Sequence, residues 1–302
     1  MKRPDPQEQG MILVPPGEAG MILVNVLMMV AIAAGLVLLL INREELALDR
    51  GLRTREAARA LAAVRGGEVS AIVALRRDGD TSPGQDYPGE PWGALSESGA
   101  PIEGGTFDLA ISDAEGRFNI NNVRSGEAAS LIMFQTIART IGLSDMDMDA
   151  CVQMVRLGGP VTDLRPIRAM GLDPAVLDRL EKLVTALPGT TTINLNAADE
   201  EMLLLLFRDE FAVHRLIEKR NRRGYLTPAD LVSEKLSIPW GTSFRSTSFW
   251  VRTRATIGGT TQQGATLMKR RWDQRGQTEV FPIERWRGAA VPPDAPQFVV
   301  KS

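Results

Sequence analysis

The sequence is poor in the residues that carry thiol, metal and redox chemistry. Its 302 residues include one cysteine, Cys151, and one histidine, His214. A single cysteine excludes an intrachain disulfide framework and any multi-cysteine metal cage. With one histidine, little is left for zinc or iron chemistry, and Cys151 reads best as a small buried hydrophobe in a helix. Aromatic residues are only 5%, which speaks against an aromatic-lined polymer cleft. Charge of one sign is lacking too. Lys plus Arg is 35 and Asp plus Glu is 37, a net charge of -2, which argues against a strongly basic nucleic-acid wrapper. No nucleophile elbow, P-loop or zinc motif is present. Gly158-Gly159 is followed by Pro160, which removes a backbone donor where a phosphate loop would need one. What is present is 44% hydrophobic and 24% charged residues, as in a folded chain of two domains or one large one.

One stretch stands apart. Met21 to Ile41 holds no charge and one strongly polar side chain, Asn25. A helix of about 20 apolar residues spans a hydrocarbon core of roughly 30 Å. The run exceeds the roughly 7–15 apolar residues of a signal peptide, and no small-residue cleavage site follows it. It therefore reads as a retained anchor. Lys2 and Arg3 precede it with Asp5, Glu8 and Glu18, while Arg43, Arg50, Arg53 and Arg55 follow, so the positive-inside count does not support an N-terminus-in topology. The helix is expected to continue to about Arg65, roughly 65–70 Å at 1.5 Å per residue. Ala57, Leu61 and Val64 would face a globular body, and Gly66-Gly67 would weaken or end the pattern.

Asp78 to Gly105 carries eleven glycines and prolines and reads as a long irregular loop. Phe107, Leu109 and Ile111 alternate with polar or small residues, as do Phe118 and Ile120 beyond Asp113-Ala-Glu-Gly116, which predicts an antiparallel hairpin. A helical block follows from about Ser125 to Leu236. Asp173 with Pro174, Asn196, and Thr227 with Asp230 are its expected N-caps, and Val176, Leu180, Leu183 and Leu187 one of its buried faces. After Pro239 the period returns to two, with strands at Phe249–Ile257, Gly264–Trp272 and Thr278–Ile283. Strands flanking a helical block give an α+β domain with an all-helical domain inserted. The proline-rich end reads as a loose tail.

Asp145, Asp147 and Asp149 have the first spacings of a calcium loop, but Ala150 and Arg156 replace its glycine and glutamate, so a helix start is the better reading. Asp78, Asp80, Asp86 and Glu90 in the irregular stretch are candidate calcium ligands, since calcium takes oxygen donors from flexible loops. No organic cofactor is implied. Residues Ile193 to Leu231 look like a helix-hairpin-helix-type unit whose hairpin glycine is replaced by Arg208-Asp-Glu210. The basic run Lys219, Arg220, Arg222 and Arg223 could meet phosphates or simply end a helix; nucleic-acid binding is the disfavoured reading.

Four segments together resemble a known family: Gly20-Met21 before the apolar helix, PIEGGTFDLAISDAEGRFNINNV at 101–123, TINLNAADEEMLLLLF at 192–207, and SFWVRTRATIGG at 248–259. Over nearly its whole length the chain is similar to the minor pseudopilin K family of bacterial type II secretion systems. The resemblance implies a prepilin leader at 1–20, cleaved between Gly20 and Met21 by prepilin peptidase, with methylation among the associated modifications. It implies an N-terminal helix at 21–66, membrane-spanning over 21–41. A pilin-like α+β domain would be split between 67–124 and 239–290, with the inserted helical domain at 125–238 and a C-terminal tail at 291–302. Pilins usually carry glutamate at the fifth mature position; Asn25 stands there, as the K family's lack of that glutamate would have it. A buried carboxylate is costly without a cationic partner, and a subunit at a filament tip has no neighbour above to supply one. The leader holds two basic and three acidic residues, and GMILV occurs at both 10–14 and 20–24, a repeat compatible with a start at a methionine after Met1.

The resemblance further implies calcium binding in some members, single-pass insertion in the bacterial inner membrane with a periplasmic globular part, and a complex with minor pseudopilins I and J, and H. It extends to contacts with exported substrates or the outer-membrane channel. The expected role is a non-enzymatic tip subunit that initiates or caps the pseudopilus for protein export. Two alternatives come from other classes. A membrane-anchored nucleic-acid-binding protein would show salt-sensitive affinity dependent on Arg222 and Arg223. An ion-dependent membrane-anchored enzyme would need paired carboxylates in a cleft.

Overall fold

The computed structural model describes residues 16–82 and 84–298. The first helix, α1, runs Pro16–Thr81, past the glycine pair where the pattern was expected to stop. The chain divides into two compact units, one ending at Arg55 and one beginning at Glu56.

In the second unit the reason α1 continues is burial. Ala60, Val64, Gly67, Ala71, Leu75 and Asp78 recur at spacings of three and four and form its inner face, with Ala60, Ala71 and Leu75 fully buried. The expected contact residues Ala57 and Leu61 flank this stripe and are half-buried. A helical glycine costs about 1 kcal/mol relative to alanine, too little to end a helix held by packing. At Gly67 the helix lies close against the sheet: a Cβ there would lie 2.6 Å from Phe107 Cζ and 2.8 Å from Thr253 Cγ2. The boundary expected at residue 66 thus falls inside α1.

The stretch read as one long loop is partly ordered into elements: a single-turn helix α2 (Pro91–Ala94) and an edge strand β1 (Glu97–Ile102). Strand β2 is Gly105–Asp113 and β3 is Phe118–Asn119. The helical block contains α3 (Ala128–Ile141), α4 (Asp145–Gly158), α5 (Arg165–Arg168) and α6 (Pro174–Leu183). The short strands β4 (Val184–Thr185) and β5 (Ile193–Asn194) come next. Helices α7 (Glu200–Phe207), α8 (Glu210–Arg223) and α9 (Pro228–Ser233) complete the block. Then come β6 (Thr242–Ser243), β7 (Ser248–Ile257), β8 (Thr260–Trp272) and β9 (Thr278–Arg287).

The main sheet has the order β1-β2-β7-β8-β9, antiparallel throughout. The expected hairpin between 107–111 and 118–120 is not formed. Strand β2 pairs instead with β7, from Gly105↔Ile257 to Asp113↔Phe249, across the whole helical block. Strand β3 pairs in parallel with β4. Alternation marks a strand but not its partner. After β3 the chain is pinned by asparagines: Asn119 Oδ1 accepts from Leu187 N at 3.0 Å, Asn121 Nδ2 donates to Val161 O at 2.8 Å, and Asn122 Nδ2 donates to Thr191 O at 2.8 Å. Buried amides that replace main-chain partners in this way hold loops as a sheet ladder would.

Asp173 caps α6 beside Pro174, and Thr227 with Asp230 forms a capping box on α9, as expected. The inner face of α6 is Leu177, Leu180 and Leu183, with Val176 only partly buried. Asn196 does not cap α7. Asp199 does, accepting from Met202 N at 2.8 Å, while the Asn196 amide is committed to Leu226. Ser144 caps α4, which makes Asp145 and Asp147 first-turn residues. The described part of the C-terminal tail is docked, not loose: Ala295 is buried, Asp294 pairs with Arg117 at 2.8 Å, and the Arg252 and Arg254 guanidinium groups lie 4.8 and 4.5 Å from the Phe298 ring centre. Prolines stop regular elements without preventing side chains from packing.

Candidate functional site

The first unit carries the anchor. Gly20, Met21 and Asn25 lie in α1; the leader residues 1–15 fall outside the described residues. From Met21 to Ile41 the large apolar side chains are all exposed, from 47% at Ile41 to 72% at Met29. Among the described residues this is the one helix long and apolar enough to cross a membrane. Exposed apolar surface of this extent calls for lipid or partner helices. It provides a single-pass anchor near the N-terminus.

In the second unit, three of the four candidate calcium ligands converge. Asp78 from the end of α1, and Asp86 and Glu90 from the following loop, are buried with carboxylate oxygens within 4.8 Å of one another. Asp80 is not among them. Two positions along a helix turn a side chain by about 200°, so Asp80 points away from Asp78. Its Oδ1 accepts from Thr278 N at 3.0 Å, fastening α1 to the start of β9 and holding the carboxyl below its ordinary range.

Sequence reasoning missed the cation of this cluster. Arg270, from β8, is fully buried; its Nη1 donates to Asp78 Oδ2 at 2.9 Å, and its Nη2 donates to Asp86 Oδ1 and to Ser246 O. Its guanidinium carbon lies 4.7 Å from the Phe249 ring centre. Gly79 makes room for it, since a Cβ there would approach Arg270 Cδ to 3.2 Å and Thr278 Cγ2 to 2.6 Å. Glu90 Oε2 accepts from Tyr87 N and Trp92 Nε1, both at 3.0 Å. Burial pushes Asp78 up to about 6 against the pull of Arg270. Burial pushes Glu90 up to about 7 despite its two hydrogen bonds.

Three carboxylates against one guanidinium leave an excess of buried negative charge that a proton relieves. The donor set is of calcium type, and Asp78 Oδ1 has no hydrogen-bond partner among the described residues. Yet Arg270 already fills the place between Asp78 and Asp86, and two of the oxygens are committed to it. Calcium takes about 6–8 oxygens. With Arg270 in place the cluster does not fit that ion.

A second buried network adjoins the first, also unforeseen. Asn194 Nδ2 donates to Asp113 Oδ2 at 2.7 Å, Ser246 Oγ at 3.0 Å and Asp86 O at 3.0 Å. Ser246 N donates to Asp86 Oδ2 at 2.8 Å. Burial pushes Asp113 up to about 7. These residues sit where the chain leaves β2 and re-enters at β7. The signal available in the sequence was Asn194 itself, a polar side chain inside the apolar run TINLNA.

The basic run of α8 is largely spent inside the fold. Lys219 bonds Ser233 and Glu234, Arg220 bonds the Leu195 and Ala198 carbonyls, and Arg223 pairs with Asp230. Cations so committed do not form a phosphate stripe. The α7–α8 hairpin turns through Arg208 at φ 53, where glycine is usual. His214 is exposed beside Glu200, and Cys151 is buried, its thiol pushed up to about 11 by burial.

The anchor helix, the antiparallel sheet packed on α1 and the helical block between β2 and β7 define a class: membrane-anchored, pilin-like α+β proteins with an inserted helical domain. No protein-family model matches the chain. It is 25% identical over 276 residues to the type II secretion system protein K of Pseudomonas aeruginosa, covering 79% of this chain and 82% of that one. Its fold matches a chain in the crystal structure of the GspK-GspI-GspJ complex from the enterotoxigenic Escherichia coli type 2 secretion system, with a TM-score of 0.65, 18% identity, and 79% of this chain and 99% of that chain covered. The protein thus resembles the type II secretion minor pseudopilin K family in sequence and in fold.

Proposed function

We propose that the chain works as a minor pseudopilin of type II secretion, a structural subunit at the pseudopilus tip that starts or caps its assembly. The observation that carries this reading is the likeness to protein K over four fifths of both chains. The anchor supports it, because a pseudopilin is drawn from the membrane by its apolar helix and then packs that helix against its neighbours. In this reading Met21 to Ile41 spans the bacterial inner membrane and the unit from Glu56 onward lies in the periplasm. Prepilin peptidase cuts between Gly20 and Met21, and the carboxylate-free Asn25 suits a subunit with no neighbour above. The partners are pseudopilins of the I, J and H types, and the subunit catalyses no reaction.

The test is co-expression of the full chain with the I- and J-type subunits of the same cell, followed by affinity capture through this chain and N-terminal sequencing. An equimolar complex whose K-like component begins at Met21 is expected. Failure of the folded partners to assemble, or an uncut leader in the assembled protein, overturns the proposal.

A further inference from the structure

A cleft of about 340 Å³, lined by both polar and apolar groups, opens beside the site where the helical block rejoins the sheet. Its floor is Glu115, itself buried, whose Oε1 accepts from Thr247 Oγ1 at 2.7 Å; Lys269 Nζ donates to the same hydroxyl at 2.7 Å. One wall is the loop Thr190-Thr191-Thr192. The Asn122 side chain clamps Thr191 on both sides, accepting from its N at 3.1 Å and donating to its O at 2.8 Å. The Thr191 hydroxyl is buried and has no hydrogen-bond partner among the described residues. The facing wall brings Ser130 and the exposed carboxylate Glu127 from the start of α3.

Trp240 stands at the edge of this cleft, 51% exposed. Trp92, Trp250 and Trp286 each face another aromatic ring, and Trp272 faces two guanidinium groups. Among the described residues Trp240 has neither kind of neighbour. Its backbone is nonetheless fixed. The next residue, Gly241, takes φ +75, and Gly241 O accepts from Ile193 N at 2.8 Å.

We infer that this cleft binds a saccharide of one or two rings, its C–H face on the Trp240 indole and its hydroxyls on Glu127 and the exposed Thr190 and Thr192 of the threonine wall. The volume lies at the lower end of small-ligand sites, about 300–1,000 Å³. An exposed indole supplies an apolar face with little conformational freedom to lose. A sugar ring offers both an apolar face and several donors and acceptors, and the cleft offers the complement of each. A lipid tail or an apolar peptide would leave the hydroxyls and Glu127 desolvated without partners. A phosphate group would meet two carboxylates. The inference does not depend on the secretion role.

The test titrates chitotriose, cellotriose and maltotriose, by calorimetry, into the full chain held in a detergent without a sugar headgroup. At least one is expected to bind saturably, with Kd on the order of 0.1–1 mM. Trp240→Ala and Glu127→Gln should each weaken that binding by about tenfold or more, while Trp240→Phe keeps most of it. Circular dichroism of each variant should match the parent. Absence of saturable binding for all three sugars up to about 10 mM overturns the inference. So does binding that a folded Trp240→Ala variant leaves unchanged.

Discussion

Arg270 is the residue on which the buried acidic cluster turns. Among the described residues it is the cation that pairs directly with Asp78 and Asp86, both buried. Removing one partner of a buried pair leaves uncompensated charge, at a cost of about 3–5 kcal/mol. Arg270→Met, which keeps most of the stem, should therefore lower the urea-unfolding free energy by that amount, and a loss below about 1 kcal/mol would refute the role given to the guanidinium. The same cluster sets a pH dependence. Asp78, Glu90 and Asp113 have folded values of about 6, 7 and 7, all above their ordinary ones of 3.8, 4.5 and 3.8. The folded state thus holds more protons than the unfolded one, and the stability they contribute is full below pH ~4 and is lost as pH rises through 6 to 7. The melting temperature should be higher at pH 5 than at pH 8; equal values would contradict the burial described. Asp78, Asp86 and Glu90 were legible as a group, because carboxylates in a glycine- and proline-rich stretch attract notice. Arg270 was not: in its strand it reads as one more exposed cation, and only the β7–β8–β9 pairing turns it inward.

Among the elements, α1 shows how a sequence rule can be outweighed. Gly66 and Gly67 read as a stop, yet the helix continues because Ala71 and Leu75 are buried beyond them. The two glycines do different things. A Cβ at Gly66 meets nothing within 4 Å, whereas at Gly67 it collides with Phe107 and Thr253. Gly66→Ala should stabilise the fold by up to about 1 kcal/mol through helix propensity. Gly67→Ala should destabilise it by about 1–3 kcal/mol through overpacking, so opposite signs from neighbouring positions are the expected readout in denaturant melts. Helix caps at Asp173 and Thr227 were legible because capping is local. The β2–β7 pairing was not, because its two strands lie on either side of the helical block and nothing local specifies so distant a partner. The hairpin expected in its place followed the usual adjacency of consecutive strands, which an insertion breaks.

For the molecule as a whole, the anchor was the most legible feature and the split domain the least. Twenty-one uncharged residues declare themselves by length alone, since no folding partner has to be known. Their exposure in the folded chain then places a definite demand on the surroundings. If lipid meets that demand, a charge at the middle of the segment should weaken insertion by about 2.5–3.5 kcal/mol. Ala31→Arg should therefore shift a large share of the protein out of carbonate-washed membranes. Leu48→Arg is the matched control. Leu48 is as exposed as the anchor residues but lies beyond Ile41, among charged neighbours, so its replacement should leave partition unchanged. If both variants stay in the membrane fraction, the segment is held by something other than its own apolar surface. If both leave it, the membrane-spanning stretch extends past Ile41. Only the split result assigns retention to 21–41, and it does so without reference to any partner subunit.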